Sequence, residues 1–266
     1  MSQRADGRKG GAALTAKQVL DKVHAIAALE HAHCVYYLRL HAALDGHAAD
    51  GDDLPTAVRE AAGAAYLIAQ SDMIHLRDVN RVLVRAGRPP VLHRAVRVTP
   101  ATGAPIDLTP ITVAQFAKFP KREKALAAAL DLAYTGLRVA LEAPPKPPLP
   151  RGVLDELKSV LDLASGPGMD HGSRLPAVTE PLAGLAPRDY LRVTGVKPAD
   201  ELDRRLLVLS DEFYGSLLGI LRDYFADVDG EAFWLRQEAL SRMDDLHTVN
   251  GLLGLRRLLA PFTAPG

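Results

Sequence analysis

A carboxylate set in the apolar stripe of a helix constrains a fold severely, because an ionised side chain on a face built for burial is costly unless something compensates it. The stretch "QSDMIHLRDVNRVLVRAG", residues 70 to 87, has this form. Read as a helix, it places Asp72 and His75 three positions apart on the stripe that carries Ile68, Val79 and Val82. The earlier stretch "TAKQVLDKVHAIAALEHAHCVYYLRLHAALDG" reads as an amphipathic helix with Thr15 as N-cap and Gly46 as stop. Its stripe runs through Val23, Ile26, Ala27, Cys34, Tyr37 and Leu38, and Glu30 falls within it. A fold that buries both stripes has to bring these acids to a partner.

Ala and Leu dominate while aromatic residues make up only 5% of the chain, which favours packed helices over a sandwich or barrel and predicts an all-α protein. Lys plus Arg equals Asp plus Glu at 32 each, so no overall field draws the chain to nucleic acid or an anionic membrane. The single cysteine, Cys34, excludes an internal disulfide framework and suits a reducing compartment. Neither a signal peptide nor a run of about 18 apolar residues is present, so a cytoplasmic protein is expected, with residues 1–14 as a disordered tail.

Along the chain, "HAADGDDLP" reads as a loop, and Pro55 suits the first turn of a second helix ending at Gly87. Residues 88–199 read as a long crossover insert within one helical domain, 15–266. The insert holds a β-hairpin around Thr102-Gly103, the helix "PKREKALAAALDLAYTGLRVALEA", the stiff spacer "PPKPPLP" and the short helix "GVLDELKSVLDLA", but too little periodic apolar surface for a core of its own. Two long helices follow, "DELDRRLLVLSDEFYGSLLGILRDYF" and "EAFWLRQEALSRMDDLHTVNGLLGLRRLL", joined by "ADVDG". Gly215, Ser216 and Gly219 make one face of the first of these small, leaving room there to admit a substrate.

The last helix repeats the opening motif: "DDLHTVN" sets Asp244 and His247 three apart. Chance alone supplies about one carboxylate-x-x-His in a chain of this composition, and four occur, so the motif by itself is weak. Height is a stronger test. At 1.5 Å per residue, Glu30 lies about 22 Å from the end of its helix and Asp72 about 25 Å from the start of the next. Glu212 lies about 24 Å from the end of the third long helix and Asp244 about 20 Å from the start of the fourth. The chain order is carboxylate, carboxylate-x-x-His, crossover, carboxylate, carboxylate-x-x-His, which is the ligand plan of di-iron carboxylate bundles. Asp211 competes with Glu212 for the third position.

The segments "LEHAHCVYYLRLHAAL", "AQSDMIHLRDVNRVLVRAGRPPVL" and "IDLTPITVAQFAKFPKRE" resemble the ferritin-like domain of iminophenylpyruvate dimer synthase-type proteins over roughly residues 15 to 125. The resemblance implies a ferritin-like four-helix bundle with metal ligation by Glu30, Asp72, His75, Glu212, Asp244 and His247. His33, Tyr37, Asn80 and Asn250 are candidates for hydrogen bonds to those ligands. One departure stands out. Asp replaces the family's Glu in both carboxylate-x-x-His motifs, shortening reach by about 1.5 Å, which leaves a mononuclear site, another metal or no metal open.

The expectation is therefore a non-haem metalloprotein holding one or two iron ions, with manganese or another transition metal as alternatives, that oxidises a small organic molecule in secondary metabolism. It has no nucleic-acid or membrane partner, and a homodimer is compatible with it. The alternative is a metal-free bundle acting as a binding or assembly module.

Overall fold

The computed structural model describes residues 14–48, 56–92, 94, 97–100, 105–107, 111–142, 145–146, 148–164, 174–191, 197–227, 230–259 and 262. Over these the regular structure is helical apart from one minimal hairpin. Helix α1 spans Ala16–Ala48 and α2 spans Thr56–Arg85. Strands β1 (Arg97–Val98) and β2 (Ile106–Asp107) pair antiparallel, with Val98 opposite Ile106, on either side of the expected Thr102-Gly103 turn, which itself lies outside the described residues. The insert continues as α3 (Val113–Phe116), α4 (Phe119–Ala140), α5 (Val153–Leu163), α6 (Leu175–Thr179) and α7 (Pro187–Tyr190). Helices α8 (Glu201–Ala226) and α9 (Phe233–Leu255) close the chain. The expected tail lies outside the described residues except for Leu14.

Local chemistry sets the helix ends. The Gln18 backbone N–H donates to Thr15 Oγ1 at 3.2 Å while the Thr15 N–H donates to Gln18 Oε1 at 2.8 Å, a reciprocal capping box that starts α1. The helix runs two residues past Gly46, to Ala48. At the end of α2, Gly87 takes φ +76°, and the Arg88 and Gly87 N–H groups donate back to the Leu83 and Val84 carbonyls at 2.9 Å each. A β-branched residue at 87 would be strained in that left-handed turn.

Every residue from Leu29 to Tyr37 is buried, so α1 is surrounded on all sides. It packs on α2, α4 and α9; α8 packs on α9 and on α2. The four long helices thus form a closed ring of contacts, and α4 from the insert adds a fifth member. Tyr36 stacks on Phe119, the first residue of α4, with centroids 4.7 Å apart and planes 12° apart. The insert needs no core of its own because Phe119, Leu126, Leu130 and Leu137 share that of α1. Burying each of these contributes roughly 1.5–3 kcal/mol.

The same core holds a cation with no ion pair among the described residues. Arg39 is 1% exposed, and its Nε and Nη1 have no hydrogen-bond acceptor among the described residues. Burial lowers its guanidinium to about 10, against the opposing pull of the Tyr214 and Tyr36 phenols. Exchanging it for an unbranched apolar side chain removes that desolvation cost, so Arg39→Met is expected to raise stability by about 1–3 kcal/mol in urea unfolding. A loss of more than 1 kcal/mol would mean that the guanidinium is held by a real acceptor.

Candidate metal centre

The acids of α1 and α2 meet at the middle of the molecule because the two helices run antiparallel with Glu30 and Asp72 level. Each acid of one helix touches the histidine of the other. His33 Nδ1 lies 2.8 Å from Asp72 Oδ2, and His75 Nδ1 lies 3.5 Å from Glu30 Oε1. Helix α4 supplies a third acid: Glu123 Oε1 is 3.6 Å from His33 Nε2 and accepts from the Tyr37 hydroxyl at 3.0 Å. The Tyr134 hydroxyl donates to Glu30 Oε1 at 2.6 Å. Arg174, just before α6, donates from Nη1 to Asp72 Oδ1 at 2.9 Å.

Glu30, His33, Asp72 and Glu123 are each 0% exposed. The side chains of His75 and Arg174 are 8% and 9% exposed, so solvent reaches the cluster along their edge. Three carboxyl groups face one guanidinium and two imidazoles, and Glu123 Oε2 has no hydrogen-bond partner among the described residues. Burial alone would push the His33 imidazolium down; the Asp72 carboxylate beside it, helped by Glu123 and Glu30, raises it to about 9. Burial, reinforced by Glu123, drives the Tyr37 phenol far up, and burial with Glu30 does the same to Tyr134, so both stay protonated donors. Cys34 donates its thiol to the Ala69 carbonyl at 3.4 Å, and burial keeps it protonated.

One ligand atom from each of Glu30, Asp72 and His75 lies within 4.8 Å of the other two, the one such group of three or more among the described residues. Donor atoms bound at about 2.1 Å to one ion stand about 3.0–4.2 Å apart, so side-chain rotations close the set on a cation. Imidazole with carboxylates suits iron, manganese or zinc. His33, with Nδ1 on Asp72 and Nε2 toward Glu123, bridges two acids and orients them from beside the set.

The other predicted residues do not join this cluster. Glu212, Asp244 and His247 are exposed. The buried stripe of α8 runs through Ser210, Tyr214, Leu217 and Leu221, and Glu212 sits two residues from it, about 200° around the helix. On α9 the stripe runs through Leu246, Val249, Asn250 and Leu253, which turns Asp244 outward; His247 stacks on His41, centroids 5.4 Å apart. Asp211 pairs with Arg94 instead. Asn80 and Asn250 hold backbone and helix, not ligands: Asn80 Oδ1 accepts from the Val91 N–H at 2.5 Å, and Asn250 accepts from Ser210 Oγ at 2.7 Å. The small face of α8 is filled at Gly215, where an added Cβ would lie 2.6 Å from Arg94 Nη2.

Glu123, Tyr134 and Arg174 escape the sequence reading. Glu123 and Tyr134 lie on the buried stripe Phe119, Leu126, Leu130, Leu137, the same signal that marks Glu30. Arg174 stands just before α6 and carries no periodic signal. Among the described residues no helix is long and apolar enough to cross a membrane. No family model, curated protein or solved structure matches this chain.

Proposed function

We propose that this chain is a ferritin-like non-haem metalloprotein that binds a transition-metal ion, iron in the first instance, between Glu30, Asp72 and His75, and oxidises a small organic molecule. The carrying observation is the meeting of those three buried side chains, with Glu123 and His33 adjoining them. The antiparallel pairing of a Glu-x-x-His and an Asp-x-x-His is the kind of inward-facing set from which bundle metal sites are built. A bound ion supplies redox and Lewis-acid chemistry. The protein's part is to hold the donors in place, exclude bulk water, and keep protons on Tyr37 and Tyr134 beside the carboxylates. A small substrate approaches along the His75–Arg174 edge, the more exposed side of the cluster among the described residues.

Elemental analysis of protein purified without added metal tests the reading. Close to one equivalent or more of a transition metal is expected, falling below about a tenth of an equivalent in Asp72→Ala plus His75→Ala. Oxygen uptake by the iron-loaded protein, above that of free iron and lost in the same variant, tests the oxidase step.

One observation favours a second reading, a metal-free bundle that serves as a binding module. Both oxygens of Asp72 are already engaged, by His33 and by Arg174. Metal below a tenth of an equivalent in the wild type, unchanged in the double variant, selects it.

A further inference from the structure

Arg39, fully buried on α1, takes no part in the cluster around Asp72. It stands nine residues beyond Glu30, which is about 14 Å along the helix and half a turn round it. Its Nε and Nη1 have no acceptor among the described residues. Burial lowers the guanidinium only to about 10, so at neutral pH it keeps its charge. The groups beside it do not neutralise that charge. Tyr36 and Tyr214 are 1% and 3% exposed, and burial drives both phenols far above their usual range, so neither becomes a phenolate. Asp211, the acid on the Tyr214 side, is held by a second guanidinium: Arg94 pairs with it and lies over the Tyr214 ring, Cζ 5.2 Å from the centroid. Glu123, the acid on the Tyr36 side, is turned to His33 and accepts from the Tyr37 hydroxyl.

We infer that Arg39 anchors a binding site for one small monovalent anion, a halide or a carboxylate, inside the bundle beside Tyr36 and Tyr214. A buried charge is stable only when it is paired, and one guanidinium is neutralised by one negative charge. Taking an ion out of water costs more the higher its charge, which selects a monoanion over phosphate or sulfate. Once inside, the anion accepts charge-assisted bonds from Nε and Nη1, roughly twice as strong as neutral ones. Enclosure sets the size of what binds. With the whole side chain 1% exposed, the ligand is a free ion or the carboxylate end of a slim organic acid.

Urea unfolding of the full chain at constant ionic strength tests this, with sodium chloride or sodium formate replacing the sodium salt of a bulky sulfonate buffer. The wild-type midpoint is expected to climb by an equal step for each tenfold of anion above the dissociation constant, because the ion binds only the folded chain. The midpoint of Arg39→Met stays level, so the lead that this variant holds in anion-poor buffer narrows as anion is added. Formate acting at lower concentration than chloride assigns the carboxylate of an organic acid; chloride acting at equal or lower concentration assigns a halide. Anomalous diffraction from wild-type crystals grown in bromide is expected to place the ion within hydrogen-bond reach of Arg39 Nε or Nη1, and it carries the test alone should the variant fail to fold. A midpoint that moves equally in wild type and variant, or no bromide at Arg39, overturns the proposal. So does bromide at Arg39 with no response of the wild-type midpoint, which would be an adventitious ion only.

Discussion

Asp72→Ala is expected to lower the stability of the metal-free protein by about 3–5 kcal/mol, the usual cost of stripping one partner from a buried charge pair. The carboxylate holds two groups at once, His33 at 2.8 Å and Arg174 at 2.9 Å, in a place that is 0% exposed. Without it both cations face each other in the core. The chemical-denaturation midpoint reports the loss, and the His33 titration reports its cause. Burial lowers His33 and Asp72 is the largest of the groups that raise it to about 9, so in the variant the imidazole titrates well below its wild-type value. Asp72→Asn, which keeps the shape and drops the charge, lowers the His33 titration in the same direction with a smaller loss of stability. Arg174→Met in the Asp72→Ala background restores part of the loss, with a coupling of about 1–3 kcal/mol. A loss below 1 kcal/mol in Asp72→Ala would show that the acid is solvated, and the metal reading would go with it.

The half of the site on α1 and α2 was legible because few residues separate these helices in the sequence, so height along one fixes height along the other. Glu30 and Asp72 are level, as counting residues predicts, and each meets the other helix's histidine. The same arithmetic failed for α8 and α9. Height says nothing about direction around the helix, and Glu212 and Asp244 share a level while pointing outward. The stripes themselves held the correction: Tyr214 and Leu218 on α8, Leu246 and Val249 on α9, are set against those acids. The third acid came from α4, whose stripe alone cannot make a core; α1, buried on every side, lends it one. Arg174 was illegible for a different reason, since a loop residue reaches a distant acid only through the tertiary fold.

Stability of the metal-free protein is expected to fall as pH rises from 6.5 to 9. His33 has a folded value of about 9 against an ordinary value of 6.5. A group whose folded value is raised contributes its stability fully below the unfolded value and loses it as pH climbs through the folded one. At 1.36 kcal/mol per unit, the contribution is at most about 3 kcal/mol. In His33→Gln the decline over this interval disappears, which separates it from the titration of other groups. A cation on Asp72 changes the sign of the dependence. It withdraws the charge that holds the His33 proton, so binding releases that proton and is favoured as pH rises. Urea midpoints at pH 6, 7.5 and 9, with and without manganese(II) under argon, check both halves. The metal-free midpoint drops across the series, while the stabilisation given by the ion grows. An ion whose effect does not change with pH would be binding somewhere other than beside His33.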